Sequence, residues 1–241
     1  RHTFHEWSDA LARSLDLTND PAVYDRATAA AATFTVYLRE LTARRRVEPH
    51  NDLISALVAV EEAGDHLSEA ELYGTCSLLL IAGHETTINL IGNGTLALLR
   101  HPEQLRLLQQ KPTLIKTAIE ELLRYDSPVQ MTSRIVLEPL EISGQVFERG
   151  REVSFMLGAA NHDPAVFANP ATLDITRKNN PHLAFGSGIH YCLGAPLARL
   201  EGQIALETLF RRIPNLALAT ETPSYRDNYV LRGLEVLPVT F

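Results

Sequence analysis

One of the two cysteines of this 241-residue chain lies in a glycine-rich loop, in the stretch HLAFGSGIHYCLGAPLAR. Cys192 follows His190 by two residues, and Gly186, Gly188 and Gly194 lie close by in the sequence. A thiolate acts either as a nucleophile or as a soft metal ligand. His190 could activate a nucleophilic cysteine only if the backbone between the two residues folded tightly. The residue types alone leave both chemistries open.

The metal interpretation favours a single sulfur ligand. A zinc site built by the protein needs three more Cys or His ligands at suitable spacing, whereas Cys76 is distant and no C-x₂₋₄-C pair occurs. The remaining metal option is one axial thiolate on an iron whose other ligands belong to a porphyrin. Glycines would let the backbone approach a flat ring, and Phe185 would cover the thiolate. A helix starting at Ala195 would favour the anionic sulfur. A buried structural cysteine is the alternative.

Counted from Phe185, the segment FGSGIHYCLG fits the pattern F-x-x-G-x-[HR]-x-C-x-G, and the chain thereby resembles the soluble bacterial cytochromes P450. The resemblance implies haem b (iron protoporphyrin IX) as the cofactor and Cys192 as the axial ligand of its iron. It implies His190 and Arg134 as partners of the haem propionates. The alternative for Arg134, an exposed strand residue, is the less favoured one. The further haem-contacting positions that it implies are Phe185, Gly186, Gly188, Gly194 and Ala82.

A second polar group interrupts an apolar run in LLLIAGHETT. Glu85 and Thr86 form a carboxylate–hydroxyl pair that could pass protons into a dry pocket, and Gly83 would let the helix open locally. The segment HETTI lacks the second histidine of the zinc-protease motif H-E-x-x-H. The resemblance assigns Thr86 and Glu85 to proton delivery at the oxygen-binding face of the haem. A solvent-facing polar patch is the alternative.

The third group with possible chemistry is Glu121 and Arg124 in EELLR. Residues three apart on a helix share a face and can pair, and such a pair alone is typical of a weak surface salt bridge. The resemblance instead implies a buried structural triad with Arg177 that supports the cysteine loop.

The elements that must position these residues are mainly α-helical, with small β-hairpins after Met131, in SRIVLEPLEISGQVFERGREVSF. Ser68 and Glu71 form a capping box that predicts the start of a long central helix, about 68–100. Its apolar middle, LLLIAG, predicts passage through a protein interior. The other predicted elements are a helix over 21–46, a helix that begins at Pro102, helices over 113–126 and 195–212, and a closing hairpin in YVLRGLEVLPVTF.

We expect residues 1–241 to form the C-terminal part of a single cytochrome P450 domain, with the cysteine loop at about 185–194. The resemblance implies a fold that is incomplete at the N-terminus, because family members carry a further N-terminal portion over the haem. The chain would then be a fragment, or a separate polypeptide would supply the rest. Apolar faces of the long helix would otherwise be exposed.

Composition restricts the classes of partner. A net charge of −7 and a pI of about 5.7 disfavour nucleic acid and anionic membranes, and no uninterrupted apolar run of about 18 residues predicts a transmembrane helix. Two cysteines are too few for a disulfide framework and favour a reducing compartment. We therefore expect a cytoplasmic protein.

The resemblance implies a monooxygenase that uses O₂, a small apolar organic substrate and an electron donor of ferredoxin or flavodoxin type. The substrate-facing positions that it implies are Ile81, Ala82, Val129, Met131 and Val230. A peroxide-driven haem-thiolate enzyme and a haem-free accessory protein remain alternatives. The acid–alcohol pair disfavours the first, and the intact Cys192 and Thr86 disfavour the second.

Overall fold

A computed structural model of the chain describes residues 2–62 and 67–241. The described chain is mainly α-helical, as predicted, and divides into two compact units with their boundary between Glu85 and Thr86. The first unit contains helices α1 (His2–Arg13), α2 (Pro21–Val47) and α3 (Leu53–Glu62), and the first half of α4 (Glu69–Arg100). None of the helices in the described ranges combines the length and apolar character that a bilayer crossing requires.

Helix α2 starts where the sequence predicts it. Asp20 caps the helix by accepting a hydrogen bond from the N–H of Ala22 at 3.0 Å, and Pro21 occupies the first turn. The apolar side of this helix contributes to the core of the first unit. The buried members of that core are Phe34, Leu38, Val58, Leu72, Tyr73 and Cys76.

Helix α4 confirms the predicted capping box. The N–H of Ser68 donates to Glu71 Oε2 at 2.7 Å, and the N–H of Glu71 donates to Ser68 Oγ at 3.3 Å. The helix continues without a break through Gly83, so the predicted local opening is absent from it. Its apolar middle is not enclosed as predicted, because Leu78 and Leu79 are 64% and 36% exposed in the described chain. The exposure agrees with the expected bare apolar faces of this helix.

The second unit contains the rest of α4, followed by α5 (Pro102–Gln110), α6 (Ile115–Tyr125), the short α7 (Leu157–Ala160) and α8 (Ala195–Arg212). Two glycines let α4, α6 and α8 pack closely. A Cβ on Gly202 would lie 3.0 Å from Leu90 Cδ2 and 3.1 Å from Ile119 Cδ1. A Cβ on Gly94 would lie 3.2 Å and 3.3 Å from side-chain atoms of α6 and α8. This packing fixes the helix that follows the cysteine loop.

Three antiparallel strand pairs complete the second unit. Strand β1 (Thr132–Ile135) pairs with β4 (Glu152–Phe155), and β2 (Leu140–Ile142) pairs with β3 (Gln145–Phe147). The turn between β2 and β3 consists of Ser143 and Gly144, both with positive φ, which suits a two-residue hairpin. Strand β5 (Ala217–Leu218) pairs with β6 (Val239–Thr240).

The predicted closing hairpin in residues 229–241 is wrong. Leu231 bridges to Val129, and Leu234 bridges to Tyr225. Strand β6 pairs with β5, which lies outside residues 229–241, rather than with another part of this segment. Leu231 and Leu234 are buried in these positions. The segment therefore gains more by burying its leucines against distant strands than by folding on itself, since strand pairing depends on packing context.

Candidate functional site

The cysteine loop is a tight turn with the thiol at its end. The N–H of Cys192 donates to the carbonyl of Phe185 at 3.0 Å, so the backbone doubles back over the intervening residues. Gly186 and Gly188 have φ values of 68° and 67°, which side-chain-bearing residues rarely adopt. The thiol is free and half-buried, and α8 begins at Ala195. The sequence prediction of glycines that shape this loop agrees with its backbone.

The residues around the loop could accept a flat apolar group with one protein ligand. Ile189 and Leu193 are 98% and 89% exposed and present apolar side chains on either side of the thiol in sequence. No atom outside the loop lies within 4 Å of a Cβ built on Gly188, so the backbone there can be approached closely. Among the described residues no cluster of three His, Cys, Asp or Glu could hold a metal. The donor set therefore consists of a single sulfur, which suits an iron ligated by a porphyrin.

The structure brings Glu121, Arg124 and Arg177 together. Arg124 Nε and Nη2 each donate to the carboxylate of Glu121 at 2.8 Å, and Arg177 Nε donates to Glu121 Oε2 at 3.0 Å. Glu121 and Arg124 are fully buried. Arg124 also donates to the carbonyls of Asn161, Pro170 and Thr172. The pair is therefore a buried network that fixes the segment before the cysteine loop, rather than a surface salt bridge.

The neighbouring carboxylate, Glu120, binds residues on both sides of the cysteine loop. Arg199 Nε and Nη2 donate to its two oxygens at 2.7 and 2.9 Å, and His182 Nε2 lies 3.0 Å from Glu120 Oε2. Burial raises the pKa of Glu120, but hydrogen bonds from His182 and Arg199 outweigh it and bring the pKa to about 2. The hydrogen bonds to Glu120 raise the pKa of Arg199. Glu120 is therefore a carboxylate at neutral pH.

The acid–alcohol pair lies in the middle of α4. The side chain of Glu85 is 1% exposed, and its Oε1 lies 3.8 Å from His84 Nδ1. His84 Nδ1 also lies 2.9 Å from the hydroxyl of the buried Ser8. Thr86 is half-buried on the next position of the helix. The predicted dry setting of the carboxylate agrees with this burial.

Two of the predicted pocket segments adjoin each other. The N–H of Gln130 donates to the carbonyl of Val230 at 2.9 Å, and Val129 bridges to Leu231. Met131 is buried beside them. The positions Ile81 and Ala82 lie on α4 in the first unit, half-buried and exposed respectively.

An ion pair holds the C-terminal segment that carries Val230. Arg232 Nε donates to Asp126 Oδ1 at 2.6 Å, and its guanidinium lies 4.0 Å from the ring centroid of Tyr225. The side chain of Asn93 donates to the carbonyl of Arg232 at 3.0 Å. Burial raises the pKa of Asp126 in spite of the arginine.

The two predicted propionate donors are exposed side chains. His190 ends the short 3₁₀ turn Gly188–His190. Arg134 lies on β1, where its Nη1 donates to Thr132 Oγ1 at 3.0 Å and to the carbonyl of Ser133 at 2.6 Å. Both guanidinium and imidazole can therefore turn toward a carboxylate without breaking a buried contact.

Sequence reasoning missed Glu120, His182 and Arg199. It also missed the hydrogen bond from Thr87 Oγ1 to Glu201 Oε2, 3.0 Å long, which joins α4 to α8. The doublet of acids in EELLR was a usable signal, because two adjacent carboxylates on one helix must face different neighbours.

The cytochrome P450 family profile matches residues 14–214, so the chain belongs to the cytochrome P450 family. It is 48% identical over 241 residues to the biotin biosynthesis cytochrome P450 of Bacillus subtilis (strain 168), covering all of this chain and 61% of that protein. It is 47% identical to the vitamin D(3) 25-hydroxylase of Pseudonocardia autotrophica, covering all of this chain and 59% of that protein. The chain thus spans about three fifths of the length of these relatives.

Solved structures confirm the fold. The crystal structure of P450BioI in complex with hexadec-9Z-enoic acid ligated acyl carrier protein matches with a TM-score of 0.94 and 48% identity. That match covers all of this chain and 61% of the P450BioI chain. The cofactor of the family is haem b, and the single-thiol loop described above fits such a group.

Proposed function

We propose that the protein is a haem-thiolate monooxygenase that inserts one oxygen atom of O₂ into a small apolar organic substrate. The balanced reaction is R–H + O₂ + 2 e⁻ + 2 H⁺ → R–OH + H₂O. The observation that carries the proposal is the glycine-shaped loop that presents one free thiol between exposed apolar side chains. Family membership supports it.

The residues of the cysteine loop would hold the cofactor. The thiolate of Cys192 would ligate the iron, and His190 and Arg134 would donate to the two propionates. The turn through Gly186 and Gly188, with Phe185 beside it, would let the backbone lie against the porphyrin. When bound, the haem supplies the reductive activation of O₂, which no amino-acid side chain provides.

Glu85 and Thr86 would deliver the two protons of the balanced reaction. A carboxylate that is almost completely buried exchanges protons only through the few groups that reach it, so it can control their delivery. His84 lies between the buried Glu85 and the hydroxyl of Ser8, which supports a path through this part of α4. The hydroxyl of Thr86 would hold the proton next to the reacting oxygen.

The substrate would bind against apolar side chains. Val129, Met131 and Val230 come together through the contacts of Gln130 and Leu231. By family resemblance, Ile81 and Ala82 of α4 are also substrate-facing positions. Their aliphatic surface favours an apolar compound. A ferredoxin or flavodoxin-type protein would supply the two electrons, and we place the reaction in the cytoplasm.

The test is an absorption spectrum of the purified chain with haem b added, reduced and exposed to carbon monoxide. We expect the red-shifted band of a thiolate-ligated haem in the wild type and in Cys76→Ala, and its loss in Cys192→Ala. Absence of haem uptake by the wild type, or persistence of the band in Cys192→Ala, would contradict the proposal.

The proton path has a separate test in the active protein. In Thr86→Ala we expect substrate binding to persist while most consumed oxygen appears as peroxide. Thr95→Ala, further along the same helix, is the control. Unchanged coupling in Thr86→Ala would refute the assignment of that hydroxyl.

A further inference from the structure

A single carboxylate binds one residue before the cysteine loop and one residue after it. Glu120 is held by His182, ten residues before Cys192, and by Arg199, seven residues after it. The two ends of the segment 182–199 are therefore joined through one side chain of α6. We call Glu120, His182 and Arg199 the Glu120 clamp.

The clamp also contacts two aromatic residues that precede the thiol. The guanidinium of Arg199 lies 4.6 Å from the ring centroid of Phe185, and its Nη1 donates to the hydroxyl of Tyr191 at 3.1 Å. A cation over an aromatic face is attracted by the ring. One arginine thus holds the aromatic residue seven positions before Cys192 and the one immediately before it.

The ion pair between Glu120 and Arg199 is better ordered and less exposed than an ordinary surface ion pair. The arginine donates two parallel hydrogen bonds to the carboxylate, which adds both strength and a fixed orientation. The side chain of His182 is 3% exposed, and those of Glu120 and Arg199 are 30% and 29% exposed. The contacts are therefore only partly screened by water.

The two adjacent carboxylates of α6 bind different segments of the chain. Glu121 binds Arg177 and the N–H of Asp174, whereas Glu120 binds the segment around Cys192. Successive residues of a helix point about 100° apart, so the two carboxylates serve two different segments. The buried triad fixes the segment around Arg177, and Glu120 fixes the residues that flank the cysteine loop.

We infer that Glu120 is a positioning residue that closes the loop through His182 and Arg199 and thereby determines how firmly the Cys192 thiolate is held on the haem iron. The inference rests on the proposed function for the role of the thiolate. The contacts that close the loop are made by the chain alone, so they can be tested without the cofactor. A loop whose ends are released gains conformational entropy, and its backbone should become more mobile. The two consequences of losing this closure can therefore be measured separately.

The first measurement uses the haem-free chain and amide hydrogen exchange. In Glu120→Gln we expect the amides of residues 185–194 to exchange about tenfold faster, while those of the core helices stay as in the wild type. The control is Glu207→Gln, an exposed glutamate on α8. Equal exchange of residues 185–194 in both variants would overturn the inference, and so would a uniform rise across the whole second unit.

The second measurement uses the chain loaded with haem b, reduced and exposed to carbon monoxide. In Glu120→Gln and Arg199→Gln we expect at least half of the thiolate-type band to be replaced by that of a neutral-thiol ligand. Arg199→Lys keeps the charge but loses the fork, so we expect a partial loss. The control Arg211→Lys, at the exposed end of α8, should match the wild type.

The outcomes separate the two proposals. If the wild type binds no haem, the proposed function fails, and the exchange measurement still decides whether the clamp closes the loop. If haem binds and the thiolate band is as large in Glu120→Gln as in Glu207→Gln, the positioning role is refuted. Recovery of the band in Arg199→Lys above its level in Arg199→Gln supports the role, because a merely structural effect would not follow the charge.

Discussion

Replacing Glu121 by Ala should destabilise the second unit severely. The carboxylate accepts two hydrogen bonds from Arg124 at 2.8 Å and one from Arg177 at 3.0 Å. It also accepts the N–H of Asp174 and the amide of Asn180. Removing it leaves the guanidinium of Arg124 buried at 0% exposure without its counter-charge.

The magnitude follows from that buried charge. Breaking a buried ion pair on one side costs about 3–5 kcal/mol, and the orphaned N–H of Asp174 adds about 1 kcal/mol. We therefore expect a loss of about 5 kcal/mol in Glu121→Ala. Glu121→Gln keeps one accepting oxygen and the shape, so about 3 kcal/mol is expected. A domain with a stability of about 5–15 kcal/mol would lose a large share of it.

The assay is urea unfolding followed by far-ultraviolet circular dichroism. Fluorescence is unsuitable because the one tryptophan, Trp7, lies in the first unit. Glu207→Ala, which removes an exposed carboxylate from α8, is the matched control and should change the stability by less than about 0.5 kcal/mol. A loss below about 1 kcal/mol in Glu121→Ala would refute the buried-charge reasoning.

Three further outcomes are expected in unfolding experiments. Because the pKa of Glu120 falls from an ordinary 4.5 to about 2 in the folded chain, its contribution is present above pH 4.5 and is lost as pH falls toward 2. Glu120→Gln should therefore lose up to about 3 kcal/mol at pH 7 and progressively less below pH 4.5 in acid titrations, whereas a pH-independent loss would contradict the linkage. Gly202→Val should lower the free energy of unfolding by about 1–3 kcal/mol, because its Cβ would crowd Ile119 at 3.1 Å; an unchanged urea midpoint would show that this packing yields freely. Burial raises the pKa of Asp126, so the charged carboxylate costs stability above that pKa, and Arg232 offsets part of this cost. Arg232→Gln should therefore be most destabilising at neutral pH and less so on acidification. A loss of stability that grows toward acid pH would contradict this sign.

Local signals in the sequence predicted the helices well. The capping box at Ser68 defines the start of α4, and prolines mark the starts of α2 and α5. The predicted helix 195–212 coincides with α8. These signals work because caps and prolines act on the backbone within one turn.

Contacts between distant residues escaped the sequence analysis. Leu231 and Leu234 lie in the segment predicted to fold as a hairpin, yet their partners are Val129 and Tyr225, because the buried positions they fill are set by the tertiary packing. The acid doublet in EELLR marks Glu120, but it does not identify the partner, since Arg199 lies 79 residues further along the chain. The motif residues were found because their spacing is local, whereas Glu120, His182 and Arg199, which meet only in the folded chain, were missed.

The Glu120 clamp has a consequence for biosynthesis. Glu121 meets Arg177 across 56 residues, and Glu120 meets Arg199 across 79. A nascent chain therefore exposes α6 first, completes the buried triad next, and closes the ring around Cys192 only after the first turns of α8 have been synthesised. Cys192 is translated before Arg199, so a ribosome paused between the two would present a loop that is not yet closed. Stable binding of a cofactor by this loop would then require the synthesis of Arg199.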